Sequence, residues 1–126
     1  MTLSSIRLNY VNLGMRNKMM ITGRVENEII FISIIGDIDM FNSQLAKKEL
    51  WDTVQNKKIV GLRIDMRDCS YLDSSGVGVL FSFIKMLKKS NVHVWVTEVT
   101  ESVLSIIKLA GLDRYFLGEN YESAKK

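Results

Sequence analysis

Along this 126-residue chain the spacing of hydrophobic positions changes several times, and each change marks an element. In "KMMITGRVENEIIFISIIGDID" two apolar runs flank a polar turn at Glu26-Asn27. That is the pattern of a hairpin, with strands near Met19 to Val25 and Ile29 to Ile35, the second ended by Gly36. The second run is nearly all apolar, so it belongs in the middle of a sheet. Asn42 or Ser43 can cap a helix running to about Asn56, with Leu45, Leu50, Trp51 and Val54 on one face and Lys47, Lys48 and Asp52 mostly opposite. "KIVGLRIDM" supplies a β-branched strand from Ile59 to Met66. After the loop "RDCSYLD", helical spacing returns from Ser74 to Lys89, with Val77, Leu80, Phe81, Ile84 and Leu87 facing inward.

"VHVWVTE" reads as a further strand and "TESVLSIIKLAGL" as a helix capped by Thr100 and closed by a left-handed Gly111. "YFL" is expected to add a last short strand, and "ENYESAKK" a final turn or helix. Residues 1–17 show no clean period and are expected to be an irregular extension able to contribute an edge strand. Strands alternating with helices predict an α/β fold: a mixed central β-sheet of four to five strands with about four helices packed on it. Residues 18–126 then form one domain.

Composition narrows the function. The longest apolar run, "IIFISII", is far short of the roughly 20 residues a membrane helix needs, and the N-terminus lacks a signal pattern. No membrane insertion and a cytoplasmic location are expected. One cysteine, Cys69, and one histidine, His93, leave little material for a disulfide, a metal site or a Ser-His pair. No metal, cofactor or catalytic residue is expected. The formal charge of +3 is spread over lysine pairs rather than gathered into a stripe, so direct nucleic acid binding is not expected. Trp51 and Trp95 are read as core or half-buried groups, and Met19, Met20, Met40 and Met86 as gap fillers.

The stretch "YLDSSGVGVLF" poses the functional question, because each glycine in a helix costs roughly 1 kcal/mol relative to alanine. Asp73 or Ser74 is the natural N-cap of this helix. Capping leaves Gly76 and Gly78 unexplained: either the first turn presses against neighbouring backbone, or its outer surface stays open to another chain. A serine at a helix N-terminus can also carry a phosphate, since free N–H groups and the helix dipole favour an anion there.

The segment from Asp68 to Phe116 resembles the core of a STAS domain, specifically the bacterial anti-sigma factor antagonist family, whose hallmark is a Leu/Met-Asp-Ser-Ser/Thr-Gly-Leu/Val-Gly segment. "SIIGDID" resembles that family's Gly-Glu-Leu-Asp stretch, and "KLAGLDRYF" the end of its third helix, so the likeness spans about residues 19–118. The resemblance implies a binding switch rather than an enzyme. The unphosphorylated protein binds a serine-kinase anti-sigma factor and so releases a sigma factor. Phosphorylation by that kinase ends binding, and a serine phosphatase restores it. Carried over, the phosphoacceptor is Ser74; Ser75, Gly76 and Gly78 lie in the docking surface, Asp39 contributes from the neighbouring loop, and Asp73 orients or caps Ser74. Two departures stand out: the 17-residue extension, and Asp37 in place of the family's first, longer carboxylate.

Rival readings have less support. A serine hydrolase lacks both a suitably placed histidine, since His93 alternates with valines in a strand, and the Gly-x-Ser-x-Gly elbow. Gly76-Val77-Gly78 has no following Gly-Lys-Ser/Thr to make a nucleotide loop. A STAS subunit acting as a scaffold, in a stress-sensing or lipid-transport assembly, is the alternative within the fold, and the extension favours it.

Overall fold

The computed structural model describes residues 4–12 and 18–118. The chain runs β1 (Ser4–Asn12), β2 (Lys18–Glu26), β3 (Ile29–Gly36), α1 (Ser43–Val54), β4 (Gly61–Asp65), α2 (Ser74–Lys89), β5 (His93–Thr97), α3 (Glu101–Leu109) and α4 (Asp113–Leu117). The strands lie in one sheet in chain order, β1-β2-β3-β4-β5. The first three pair antiparallel and the last three parallel, which makes β3 the central strand. The N-terminal extension, read as able to contribute an edge strand, supplies one, Ser4–Asn12, at the edge of the sheet.

The hairpin turn sits one residue later than the polar pattern indicates. Asn27 and Glu28 both adopt positive φ, 54° and 66°. A two-residue turn with both residues left-handed matches the twist of the flanking strands, and Glu26 then pairs with Ile29 to close it. β4 is shorter than expected: Val60 lies outside it, half exposed, with its N–H donated to the Glu28 carbonyl.

Burial alternates along the strands, because successive side chains point to opposite faces. Ile30, Ile32 and Ile34 of β3 and Leu62 and Ile64 of β4 are buried and join one core with residues from all four helices. From α2 that core takes Val77, Leu80, Phe83, Ile84 and Leu87. Phe83, not the expected Phe81, is the buried aromatic of α2, and meets Trp51 edge-on with ring centroids 5.8 Å apart. Phe81 is half-buried against Tyr115. In α1 the buried line is Ala46, Glu49, Leu50 and Thr53, with Leu45, Trp51 and Val54 on its flanks. Thr53 satisfies its hydroxyl by donating to the Leu50 carbonyl at 2.6 Å.

"YFL", expected as a strand, belongs to the short helix α4. The Phe116 N–H bonds the Leu112 carbonyl at 2.9 Å, Phe116 is buried, and Gly118 at φ 95° ends the helix. Gly111 closes the preceding helix at φ 75°, as its position requires. "ENYESAKK" lies outside the described residues. Among the described residues no helix is long and apolar enough to cross a membrane.

Candidate functional site

Two loops meet at the C-terminal ends of β3 and β4, and backbone hydrogen bonds join them. Ile38 and Leu72 form an isolated parallel bridge. The Ile38 N–H donates to the Tyr71 carbonyl, and the Asp73 N–H donates to the Ile38 carbonyl, each at 3.3 Å. Aspartates act at the join, Asp37 and Asp73 across it and Asp39 within its own loop. The Asp37 carboxylate accepts the Ser70 N–H at 3.2 Å. Asp39 Oδ1 accepts the N–H groups of Phe41 and Asn42, while its own N–H donates to Asn42 Oδ1 at 3.0 Å. Asn42 therefore binds back into the loop and leaves α1 without a side-chain cap.

Asp73 is the N-cap of α2. Its Oδ1 accepts the Gly76 N–H at 3.0 Å, and its Oδ2 accepts the Met40 N–H from the other loop at 2.9 Å. Both oxygens of this carboxylate are thus occupied, as the reading of Asp73 as a cap requires, and it fixes the start of α2 against the β3–α1 loop. Ser74, the first helical residue, is exposed, and Ser75 is partly buried. Of the first N–H groups of α2, which no helical carbonyl can reach, that of Gly76 is taken by Asp73. Those of Ser74 and Ser75 remain available to an anion carried on Ser74.

The two glycines do different things. A Cβ on Gly76 would come within 2.5 Å of the Ile38 carbonyl oxygen, and Gly76 is buried. Of the two readings of the glycines, close packing describes Gly76, which lets α2 press on the β3–α1 loop. Gly78 is the reverse: a Cβ there would meet nothing within 4 Å, so packing does not explain it at all. It is exposed on the first turns of α2. A Gly78→Ala variant is expected to gain about 0.5–1 kcal/mol in stability, measured by urea unfolding, because alanine favours the helix and clashes with nothing.

The loops that meet here and the end of α3 expose apolar groups that periodicity did not single out as surface. Met40 and Phe41 are each 68% exposed, Tyr71 is 49% exposed and Leu109 is 90% exposed. Met40 is therefore no gap filler. The readable signal was the pair Met40-Phe41 itself, apolar residues placed between the Asp39 turn and the helix start, outside any periodic run. Ser74 and Gly78 also line an open groove of about 380 Å³ between α2 and α3, together with Phe81, Ile106, Leu109 and Leu112. Single exposed apolar residues are ordinary; several on adjoining loops and a groove edge mark an interaction site.

Below this surface Cys69 is fully buried, and burial pushes its thiol up to about 11, offset in part by a hydrogen bond with the Tyr71 backbone, with the Asp37 charge adding to the rise. At pH 7–8 it is expected to resist a thiol reagent in the folded protein and react at once after unfolding. The unfolded thiol ionises at about 9.0 and the folded one at about 11, so folding binds the proton more tightly. Its contribution is intact below pH 9 and falls by roughly 2–3 kcal/mol as pH rises to 11.

Comparison with known proteins agrees with this geometry. Residues 20–124 match the STAS domain family. The anti-sigma-B factor antagonist of Bacillus subtilis (strain 168) is 30% identical over 87 residues, 69% of this chain and 77% of that protein. An anti-sigma factor antagonist from Mycobacterium paratuberculosis has the same fold, with a TM-score of 0.71 at 22% identity over 82% of this chain and 87% of that one. So does the Bacillus cell fate determinant SpoIIAA in its phosphorylated form, with a TM-score of 0.57 at 14% identity over 94% of this chain and 96% of that one. The family match covers most of the chain and the B. subtilis relative most of its own length, so the chain belongs to the STAS domain family and, within it, to the anti-sigma factor antagonists.

Proposed function

We propose that this protein is a cytoplasmic anti-sigma factor antagonist that acts by binding and performs no reaction itself. In its unphosphorylated form it docks on a serine-kinase anti-sigma factor through the Ser74 surface, and the sigma factor held by that partner is released. The observation that carries this reading is the exposed Ser74 on the first turn of α2, lining a groove with Leu109, with the helix start held to the Met40 loop by Asp73. Neutral Ser74 lets an apolar partner surface close over it. Transfer of a γ-phosphoryl group from ATP to the Ser74 hydroxyl, with loss of the hydroxyl proton, adds about −1.5 to −2 charges. The α2 N-terminus tolerates that charge through its dipole and the Ser74 and Ser75 amides, so the fold persists while docking fails. A serine phosphatase returns the hydroxyl by hydrolysis and releases inorganic phosphate.

The test is a binding titration with the serine-kinase anti-sigma factor from the same genome. The unmodified chain and Ser74→Ala are expected to bind comparably, and Ser74→Asp at least about 100-fold more weakly, about 2.7 kcal/mol. Equal binding by Ser74→Asp would remove Ser74 from the interface. Gly78→Ala provides a second reading, since it strengthens the fold yet adds a methyl group to the docking surface.

A further inference from the structure

The face of the sheet turned away from the helices carries an organised set of side chains with no described element over it. Strand register aligns them in rows. Arg24 pairs with Phe31, Phe31 with Arg63, and Arg63 with Trp95, so cation and aromatic alternate across four strands. The adjoining rows are Glu26, Ile29, Gly61 and His93 on one side and Thr22, Ser33, Asp65 and Thr97 on the other. Apart from Gly61, which has no side chain, each of these residues is at least partly exposed. Trp95 is 42% exposed, and its ring lies over Gly61, where a Cβ would come within 2.8 Å of it. The Arg24 guanidinium sits 4.2 Å from the Phe31 ring centre and 3.0 Å from Glu26. Between the aromatics an open hollow of about 290 Å³ is lined by Ile29, Phe31, Arg63, Trp95 and Thr97.

We propose that this face is the interface of a symmetric dimer, and that its occupant is a second copy of this chain. Among the described side chains of this face, two arginines, Arg24 and Arg63, are matched by two carboxylates, Glu26 and Asp65. A face that carries both signs of charge can set each against its opposite on a second copy after a two-fold rotation, the commonest oligomer symmetry. Arg63 makes no ion pair among the described residues, its Nε reaching only Thr97 Oγ1 at 3.4 Å, and in the dimer it meets a carboxylate of the opposite copy. Aromatic rings and arginine are also the groups that interface centres favour. A single-stranded nucleic acid would stack on the same aromatics, but its phosphates call for an excess of cations that the described side chains of this face do not supply.

Size is adequate. Strands about 4.8 Å apart, rising about 3.4 Å per residue, give this five-stranded sheet a face of very roughly 600 Å² in projection, near the ~800 Å² of accessible surface each partner gives to a standard interface. Because α2 packs on the opposite face, the dimer leaves both Ser74 surfaces open, and the proposal is independent of the switch.

Sedimentation equilibrium of the full chain tests it, from about 1 to about 200 μM, a range in which an interface of this size can be followed. The mass is expected to rise from 14.4 kDa toward twice that value. Arg63→Glu and Trp95→Ala are each expected to weaken association at least about 10-fold, with unchanged circular dichroism. Lys47→Glu, on the exposed side of α1, and Ser74→Asp should leave it unchanged. A monomer throughout the range, or a dimer indifferent to both sheet-face variants, would overturn the proposal. So would a monomer that binds a single-stranded oligonucleotide and loses it in Arg63→Glu and Trp95→Ala.

Discussion

Replacing Gly76 with alanine is expected to destabilise the protein by about 2–3 kcal/mol, net of the roughly 1 kcal/mol that alanine returns to a helix. The added carbon would fall 2.5 Å from the Ile38 carbonyl oxygen and 3.2 Å from the carbonyl carbon, and both are backbone atoms that no rotamer change can move. Relief requires α2 to shift away from the β3–α1 loop. That shift stretches the Asp73 N–H bond to the same Ile38 carbonyl and the Asp73 bond to the Met40 N–H. For a chain of this length the melting temperature should fall by about 10 °C in a thermal scan, roughly 3–5 °C for each kcal/mol. An unchanged melting temperature would mean that the contact relaxes freely and that the loop junction is loosely held. The contrast with Gly78→Ala, two residues later in the same helix and opposite in expected sign, removes composition as an explanation.

Ser74→Asp carries the second large effect, and its target is binding rather than folding. Ser74 is exposed in the free protein, and a negative charge in the first turn of a helix is favourable by a few tenths to about 1 kcal/mol. Stability should therefore hold or rise slightly. In the proposed complex the same charge would be covered by a partner surface shaped for a hydroxyl, beside Leu109 in the shared groove, which offers it no hydrogen bond from its side chain. An uncompensated buried charge costs several kcal/mol, so the loss of affinity by a factor of at least about 100 is a conservative figure. Ser74→Ala separates the roles: it retains docking and cannot be phosphorylated.

Much of this was legible in the residues. The central position of β3 follows from its unbroken apolar run, and the α2 boundaries from Asp73 and from apolar spacing that ends at Leu87. The site's identity followed from Asp73, Ser74 and the glycines, with Asp37 and Asp39 brought in from a loop 34 to 36 residues earlier. Periodicity could not divide the labour between Gly76 and Gly78, because both lack a side chain and only the position of the Ile38 carbonyl distinguishes them. Nor could it choose Phe83 over Phe81, since both lie near the apolar arc and the choice depends on where Trp51 of α1 stands. "YFL" reads as a strand in isolation; Asp113 in the first turn and burial of Phe116 make it a helix. The sheet-face row is invisible to any local pattern, because Arg24, Phe31, Arg63 and Trp95 are brought together by register alone. Scattered basic residues in the chain become, in part, an ordered row on the sheet.

The most direct measurement of the central claim combines modification and release in one tube. The protein is incubated with ATP and the serine-kinase anti-sigma factor from the same genome, the phosphate is located by mass spectrometry, and complex remaining is followed by native gel. Phosphate on Ser74 alone, absent in Ser74→Ala, with the complex disappearing as phosphate accumulates, is the predicted result. Phosphate on Ser75 or elsewhere, or a complex that survives full phosphorylation of Ser74, would contradict it.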